Sequence, residues 1–145
     1  MSQYEQYLEG NVLTASPLEL VRMLYRFVID NVREASRCTQ AGDIEGRGRA
    51  VNRATGGILE LMTSLNHQQG GELSERLSEL YGYMASRLLQ GHLEQVSEPF
   101  HEVEKLMLTL LDSWENVDNH DDTHSFAAAA YGNGSEVYTP VNVSY

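Results

Sequence analysis

Glu98 and His101 stand three residues apart in Glu98-Pro99-Phe100-His101. That spacing can turn a carboxylate and an imidazole toward one metal ion. Di-metal sites in helical bundles use two such pairs, plus a Glu from each remaining helix. The chain has no second Glu-x-x-His, and Pro99 puts this one at a helix start rather than mid-bundle. Half a ligand set does not fix a metal. His120 and His124 are four apart with Asp121 and Asp122 between them. On a helix they could hold a metal weakly, but in so acidic a stretch a solvated polar segment is the better reading. Glu72, Glu75 and Glu79 share a helical face with Arg76 nearby. Paired carboxylates do acid–base work only where burial separates their pKa values, and nothing in these surroundings indicates burial. The glycine pairs Gly46/Gly48 and Gly56/Gly57 do not fit a phosphate-binding loop, which needs Gly-Lys-Ser/Thr, and the only lysine is Lys105. Cys38 is the only cysteine, so it forms no intrachain disulfide, and it reads as a small helix residue rather than a nucleophile. These readings predict no catalytic residue, no metal and no cofactor.

The bulk properties point the same way. At 145 residues the chain is one domain. A net charge of -11 argues against nucleic acid, whose phosphates it would repel, and against an anionic membrane surface. The start, Met1-Ser2-Gln3-Tyr4-Glu5-Gln6, lacks the basic and apolar regions of a signal peptide. No apolar run approaches the ~20 residues of a membrane span. The expectation is a cytosolic protein without membrane insertion.

The elements are all helical. Residues 1–15 are polar with scattered apolar positions and read as an N-terminal arm. Ser16-Pro17-Leu18-Glu19 has Ser at the cap, Pro at the first helical position and Glu at the third, a capping box. Leu20, Val21, Leu24, Phe27, Val28, Val32 and Ala35 follow at helical spacing, and Gly42 is a natural stop. Asp43 caps a second helix with the stripe Ile44, Val51, Ala54, Ile58, Leu61, Met62 and Leu65. Its four glycines permit close packing or a kink, or simply weaken it, and the spacing leaves these open. Residues 66–71 form a turn. A third helix runs from about Glu72 to Gln90, ended by Gly91, with Leu73, Leu77, Leu80, Met84 and Leu88 on one face. The fourth runs from Pro99, with Ser97 as cap, through Phe100, Val103, Met107, Leu110 and Trp114. Short connections near Gly42 and Gly70 force antiparallel neighbours. The predicted fold is an all-α antiparallel four-helix bundle over 16–117, followed by an acidic, flexible tail over 118–145.

One feature exceeds what a bundle needs. Leu106, Leu108 and Leu111 add a second apolar stripe to the last helix, and Tyr25 and Tyr81 sit beside their helices' core stripes. A second stripe suggests a groove that receives a partner's apolar helix face. Tyr, with an apolar body and a polar tip, suits such interfaces.

Three segments resemble the FliS family of flagellin export chaperones. The first is Asn11-Val12-Leu13-Thr14-Ala15-Ser16-Pro17 with Met23-Leu24-Tyr25. The second is Gly70-Gly71-Glu72-Leu73 with Leu80-Tyr81-Gly82-Tyr83-Met84 and Arg87-Leu88. The third is Glu102-Val103 leading to Trp114, and Gly42-Asp43-Ile44 fits the family's first turn. Gly82 stands where the family usually has Asp. The resemblance covers about Tyr7 to Val117. It implies a cytosolic chaperone that binds the disordered C-terminal segment of flagellin, prevents its premature polymerisation and delivers it to a component of the flagellar type III export gate. It also implies that the arm can lie over the groove. Together with the stripe positions it nominates Tyr7, Leu8 and Leu13 in the arm, Tyr25, Tyr81, Leu108 and Leu111 as flagellin-groove residues. A monomer or weak homodimer is expected. The alternatives are a generic helical adaptor that self-associates through the same stripe and, less favoured, a di-metal enzyme of the ferritin type.

Overall fold

Ser16 opens the first helix with a reciprocal cap. The Glu19 amide donates to Ser16 Oγ and the Ser16 amide donates to Glu19 Oε2, both at 3.2 Å. Pro17 sits in the first turn, where its missing N–H costs nothing. The computed structural model describes residues 16–115 and 130–131. Among them the chain forms α1 (Pro17–Ala41), α2 (Ile44–Thr63), a single-turn α3 (His67–Gly70), α4 (Glu72–Glu94) and α5 (Glu98–Glu115). There is no strand among the described residues. Residues 1–15 and most of the expected tail lie outside them.

The boundaries follow from local chemistry. Gly42 takes the left-handed conformation at φ 72° and donates to the last turn of α1, a stop that glycine adopts without a Cβ penalty. Asp43 Oδ1 then accepts from the Gly46 amide at 2.9 Å. The expected turn over 66–71 contains α3, which Asn66 caps by accepting from the Gln69 amide at 3.0 Å. Gly91 does not end α4. The helix continues to Glu94 and stops at Gln95, a non-glycine residue at φ 59°. Gly91 is inside the helix because Phe100 of α5 packs on it: a Cβ there would lie 3.0 Å from the ring.

The four long helices run antiparallel. Along α1, residues from Arg22 to Ser36 meet α5 in reverse order, from Trp114 to His101. Val28 and Cys38 approach Gly57 and Gly46 of α2. Arg47 of α2 reaches His92 of α4, whereas Met62 of α2 lies near Gly82. Arg87 and Tyr83 of α4 both bond to Glu102 of α5. Each helix therefore packs on two neighbours, in the cyclic order α1, α2, α4, α5. The enclosed core includes Leu24, Val28, Ala54, Ile58, Met84, Leu88, Phe100, Val103 and Met107. No described helix is long and apolar enough to cross a membrane.

The glycines of α2 divide by position. Gly57 lies where α1 crosses, and a Cβ there would stand 2.6 Å from Val28 Cγ2. Gly56 has nothing within 4 Å. Gly56→Ala is expected to raise stability by about 0.5–1 kcal/mol through backbone entropy and helix propensity. Gly57→Ala forces α1 and α2 apart and is expected to lower stability by about 1–3 kcal/mol. Thermal denaturation of the two variants checks the contrast, and equal shifts in the same direction would contradict it.

Candidate functional site

The residues nominated from the sequence separate into three groups. Tyr7, Leu8 and Leu13 lie outside the described residues. Leu108 is 40% exposed on α5. Tyr25, Tyr81 and Leu111 are buried. Tyr25 and Tyr81 thus sit within the core rather than beside it, because each reaches across the bundle diagonal and satisfies the other's hydroxyl. The second stripe of α5 is also mostly absorbed, with Leu111 in the core and Leu106 packed partly against it.

The tyrosines build a polar chain inside an apolar setting. Tyr25 Oη and Tyr81 Oη are 2.5 Å apart, and Tyr81 Oη lies 2.9 Å from Tyr131 Oη. Tyr131 donates to the Leu61 carbonyl at 2.8 Å. The carbonyl can only accept, which fixes the direction: Tyr25 donates to Tyr81, Tyr81 to Tyr131, and Tyr131 to Leu61. Trp114 stands edge-on to Tyr25 and Tyr131, with centroids 5.8 and 5.4 Å away. Burial is the main cause that drives the pKa of Tyr25, Tyr81 and Tyr131 well above the ordinary value of 10.0. Tyr81 reinforces it at Tyr25 and Tyr131 reinforces it at Tyr81, whereas the hydrogen bond with Tyr25 opposes it at Tyr81 and the hydrogen bond with Tyr81 opposes it at Tyr131.

These shifts have a consequence for stability. The folded state holds the phenolic protons more tightly than the unfolded chain. The stabilisation is therefore complete below about pH 10, the unfolded value, and is lost as pH rises further. Circular dichroism from pH 7 to 12 should show a stable bundle that unfolds on the alkaline side. Tyr25→Phe with Tyr81→Phe should flatten that alkaline dependence, and an unchanged profile would contradict the buried chain.

The exposed apolar surface is elsewhere. Between α2 and α4 runs a groove of ≈ 610 Å³ lined by residues that include Val51, Asn52, Thr55, Ala85 and Leu89. Gly48 and Thr55 lie on the α2 face that continues to Leu59 at helical spacing. Leu59, Leu89 and Leu93 are 48%, 53% and 69% exposed. His92 closes one end, where its Nδ1 accepts from Arg47 Nε at 3.0 Å and its carbonyl accepts from Arg47 Nη2 at 3.2 Å. Arg49 adds a cation to the lining. Sequence reasoning did not nominate Leu59, Leu89 or Leu93. The available signal was the Leu88-Leu89 doublet: adjacent helix positions are about 100° apart, so a core Leu88 turns Leu89 outward.

The remaining candidate chemistry is structural. His101 Nε2 is 3.0 Å from Ser36 Oγ. Arg76 bonds to Glu72 on the exposed face at 2.6 Å. Among the described residues, no group of three or more His, Cys, Asp or Glu could hold a metal ion; His120 and His124 lie outside them. Glu102 joins α4 to α5 by accepting from Arg87 Nε at 2.5 Å and from Tyr83 Oη at 2.8 Å. The Arg87 hydrogen bond is the main cause that holds the Glu102 carboxyl below its ordinary pKa.

A family model described as flagellar protein FliS matches residues 1–121. The chain is 36% identical over 110 residues to the flagellar secretion chaperone FliS of Escherichia coli K12, covering 74% of this chain and 80% of that one. It is 33% identical over 111 residues to the flagellar secretion chaperone FliS of Salmonella typhimurium, covering 76% and 82%. It is 29% identical over 118 residues to the flagellar secretion chaperone FliSB of Pseudomonas aeruginosa, covering 81% and 94%. A capped antiparallel bundle with these matches along most of its length belongs to the FliS family.

Proposed function

We propose that this chain is a cytosolic export chaperone for flagellin. It holds the disordered C-terminal segment of flagellin, keeps that segment from driving polymerisation, and presents the cargo to a component of the flagellar export gate. The observation that carries this reading is the α2–α4 groove, lined in part by the exposed Leu89, with Leu93 one turn further along α4 and Leu59 one turn beyond Thr55 on α2. Apolar side chains in a row on a bundle surface fit the apolar face of an added helix. Leu108 offers a further contact on α5, with Leu111 beneath the surface on the same helix. Tyr25 and Tyr81 support the bundle end, and Tyr7, Leu8 and Leu13 would contact cargo from the arm.

A segment that orders on binding can cover a large surface while spending part of the interaction energy on its own ordering. Such a complex forms specifically yet releases at the gate without a nucleotide.

The test uses exposed positions, so the fold is spared. Leu89→Asp with Leu93→Asp removes two apolar contacts and adds two charges. Each buried leucine contributes about 1.5–3 kcal/mol, so flagellin affinity should fall by roughly 100-fold or more. Leu108→Asp should cost about tenfold if α5 shares the interface. Calorimetry against flagellin reads both. Wild-type affinity in the double variant would remove the groove from the binding surface.

A further inference from the structure

The corner between α2 and α4 leaves two backbone groups for an outside partner. The Leu65 amide, which would close the next α-helical turn on Leu61, bonds instead to the Met62 carbonyl at 3.3 Å. The Leu61 carbonyl is then open to another donor. The Asn66 amide precedes α3 and finds no acceptor within its own turn. In this structure Ala130 and Tyr131 answer both. The Ala130 carbonyl accepts from the Asn66 amide at 2.8 Å, and Tyr131 Oη donates to the Leu61 carbonyl at 2.8 Å. Ala130 is fully buried, and the Tyr131 ring packs edge-on against Trp114.

A donor, an acceptor and an aromatic wall therefore surround one place on the bundle. Its occupant has a small residue, whose carbonyl meets Asn66, followed by an aromatic residue with a hydroxyl. Only a small side chain fits at the first position, since Ala130 is completely enclosed. The tyrosine also extends the Tyr25–Tyr81 hydroxyl chain to its final acceptor, so vacating the site leaves Tyr81 without an acceptor and a carbonyl unpaired.

We propose that this corner is a peptide-docking site which the chain's own Ala130 and Tyr131 occupy in the free protein, and that flagellin's C-terminal segment must displace them to reach Tyr81 and Trp114. The competition rests on the chaperone reading above; the docking site itself does not. Self-occupancy lowers the apparent affinity for cargo by the fraction of molecules in which the site is open. The same contact shields the aromatic end of the bundle until cargo arrives.

Trp114 is the only tryptophan in the chain, and its ring touches Tyr131, so its fluorescence reports occupancy directly. The full-length double variant Ala130→Asp, Tyr131→Ala should open the site and change the Trp114 emission. A synthetic peptide of residues 124–135 should restore the wild-type emission saturably, whereas the same peptide with Tyr131 replaced by alanine should not. In the same preparation, the double variant should bind flagellin at least about threefold more tightly than the wild type, and the peptide should reverse that gain. Emission that ignores the peptide in a variant still folded by circular dichroism would overturn the docking site. Restored emission with unchanged or weaker flagellin affinity would overturn the competition and leave the Ala130–Tyr131 contact as a structural latch. Failure of both wild type and variant to bind flagellin would contradict the chaperone reading and the competition together, while the peptide titration would still decide the docking site.

Discussion

Replacing Trp114 with alanine is expected to lower the stability of this bundle by about 3–5 kcal/mol, a large part of the ~5–15 kcal/mol that a domain of this size possesses. Trp114 is 1% exposed and stands at the end of the bundle where all four long helices contribute. Its ring meets Tyr25 from α1 and Tyr131, and its carbonyl accepts from Arg22 Nη2 at 3.2 Å. The truncation leaves a void that rigid helix ends cannot fill, so a cavity cost adds to the lost burial. Trp114→Phe keeps an aromatic edge and should lose less than half as much. Chemical denaturation of both variants measures the difference. A loss below about 1 kcal/mol in the alanine variant would mean that the aromatic end is not a unit of the fold.

The helices were legible because their signals are local. Ser16, Pro17 and Glu19 act within one turn, and so do Gly42 and Asp43. The apolar stripes of α1 and α5 needed only periodicity. The boundary at Gly91 was misjudged because glycine serves two purposes, and only the approach of Phe100 from another helix tells them apart. The same ambiguity governs α2, where Gly57 makes room for Val28 and its neighbour Gly56 makes room for nothing.

The site was less legible than the fold. The segments that carried the family resemblance turn out to hold the bundle together. Tyr25, Tyr81 and Trp114 form its aromatic end, Tyr83, Arg87 and Glu102 tie α4 to α5, and Ser16 with Glu19 caps α1. Residues that define a family by their identity can thus be those that define its architecture. Leu108 was nominated from a second stripe and is exposed, but most of that stripe is absorbed by neighbouring helices. The exposed leucines Leu59, Leu89 and Leu93 carry no such signal, because helical periodicity marks inward faces and leaves outward leucines looking incidental. Tyr131 could not be found at all. An Ala-run followed by a tyrosine carries no local signal, and its importance comes from two backbone groups at a corner formed by residues 61–66.

The second large effect concerns cargo. If the exposed row holds an ordered segment of flagellin, binding resides in that segment and not in the folded body of the cargo. Deleting it removes the apolar face that the groove would receive. The expected loss is complete, beyond what any single substitution on the chaperone produces.

Titration calorimetry of the full chain against flagellin, intact and lacking its C-terminal segment, tests that claim most directly. One-to-one binding to intact flagellin, with a negative heat-capacity change from apolar burial and no detectable heat with the truncated form, is the predicted result. Equal binding to both forms would place the contact elsewhere on flagellin, and binding to neither would contradict the chaperone reading and favour a helical adaptor that uses the same apolar row to pair with itself.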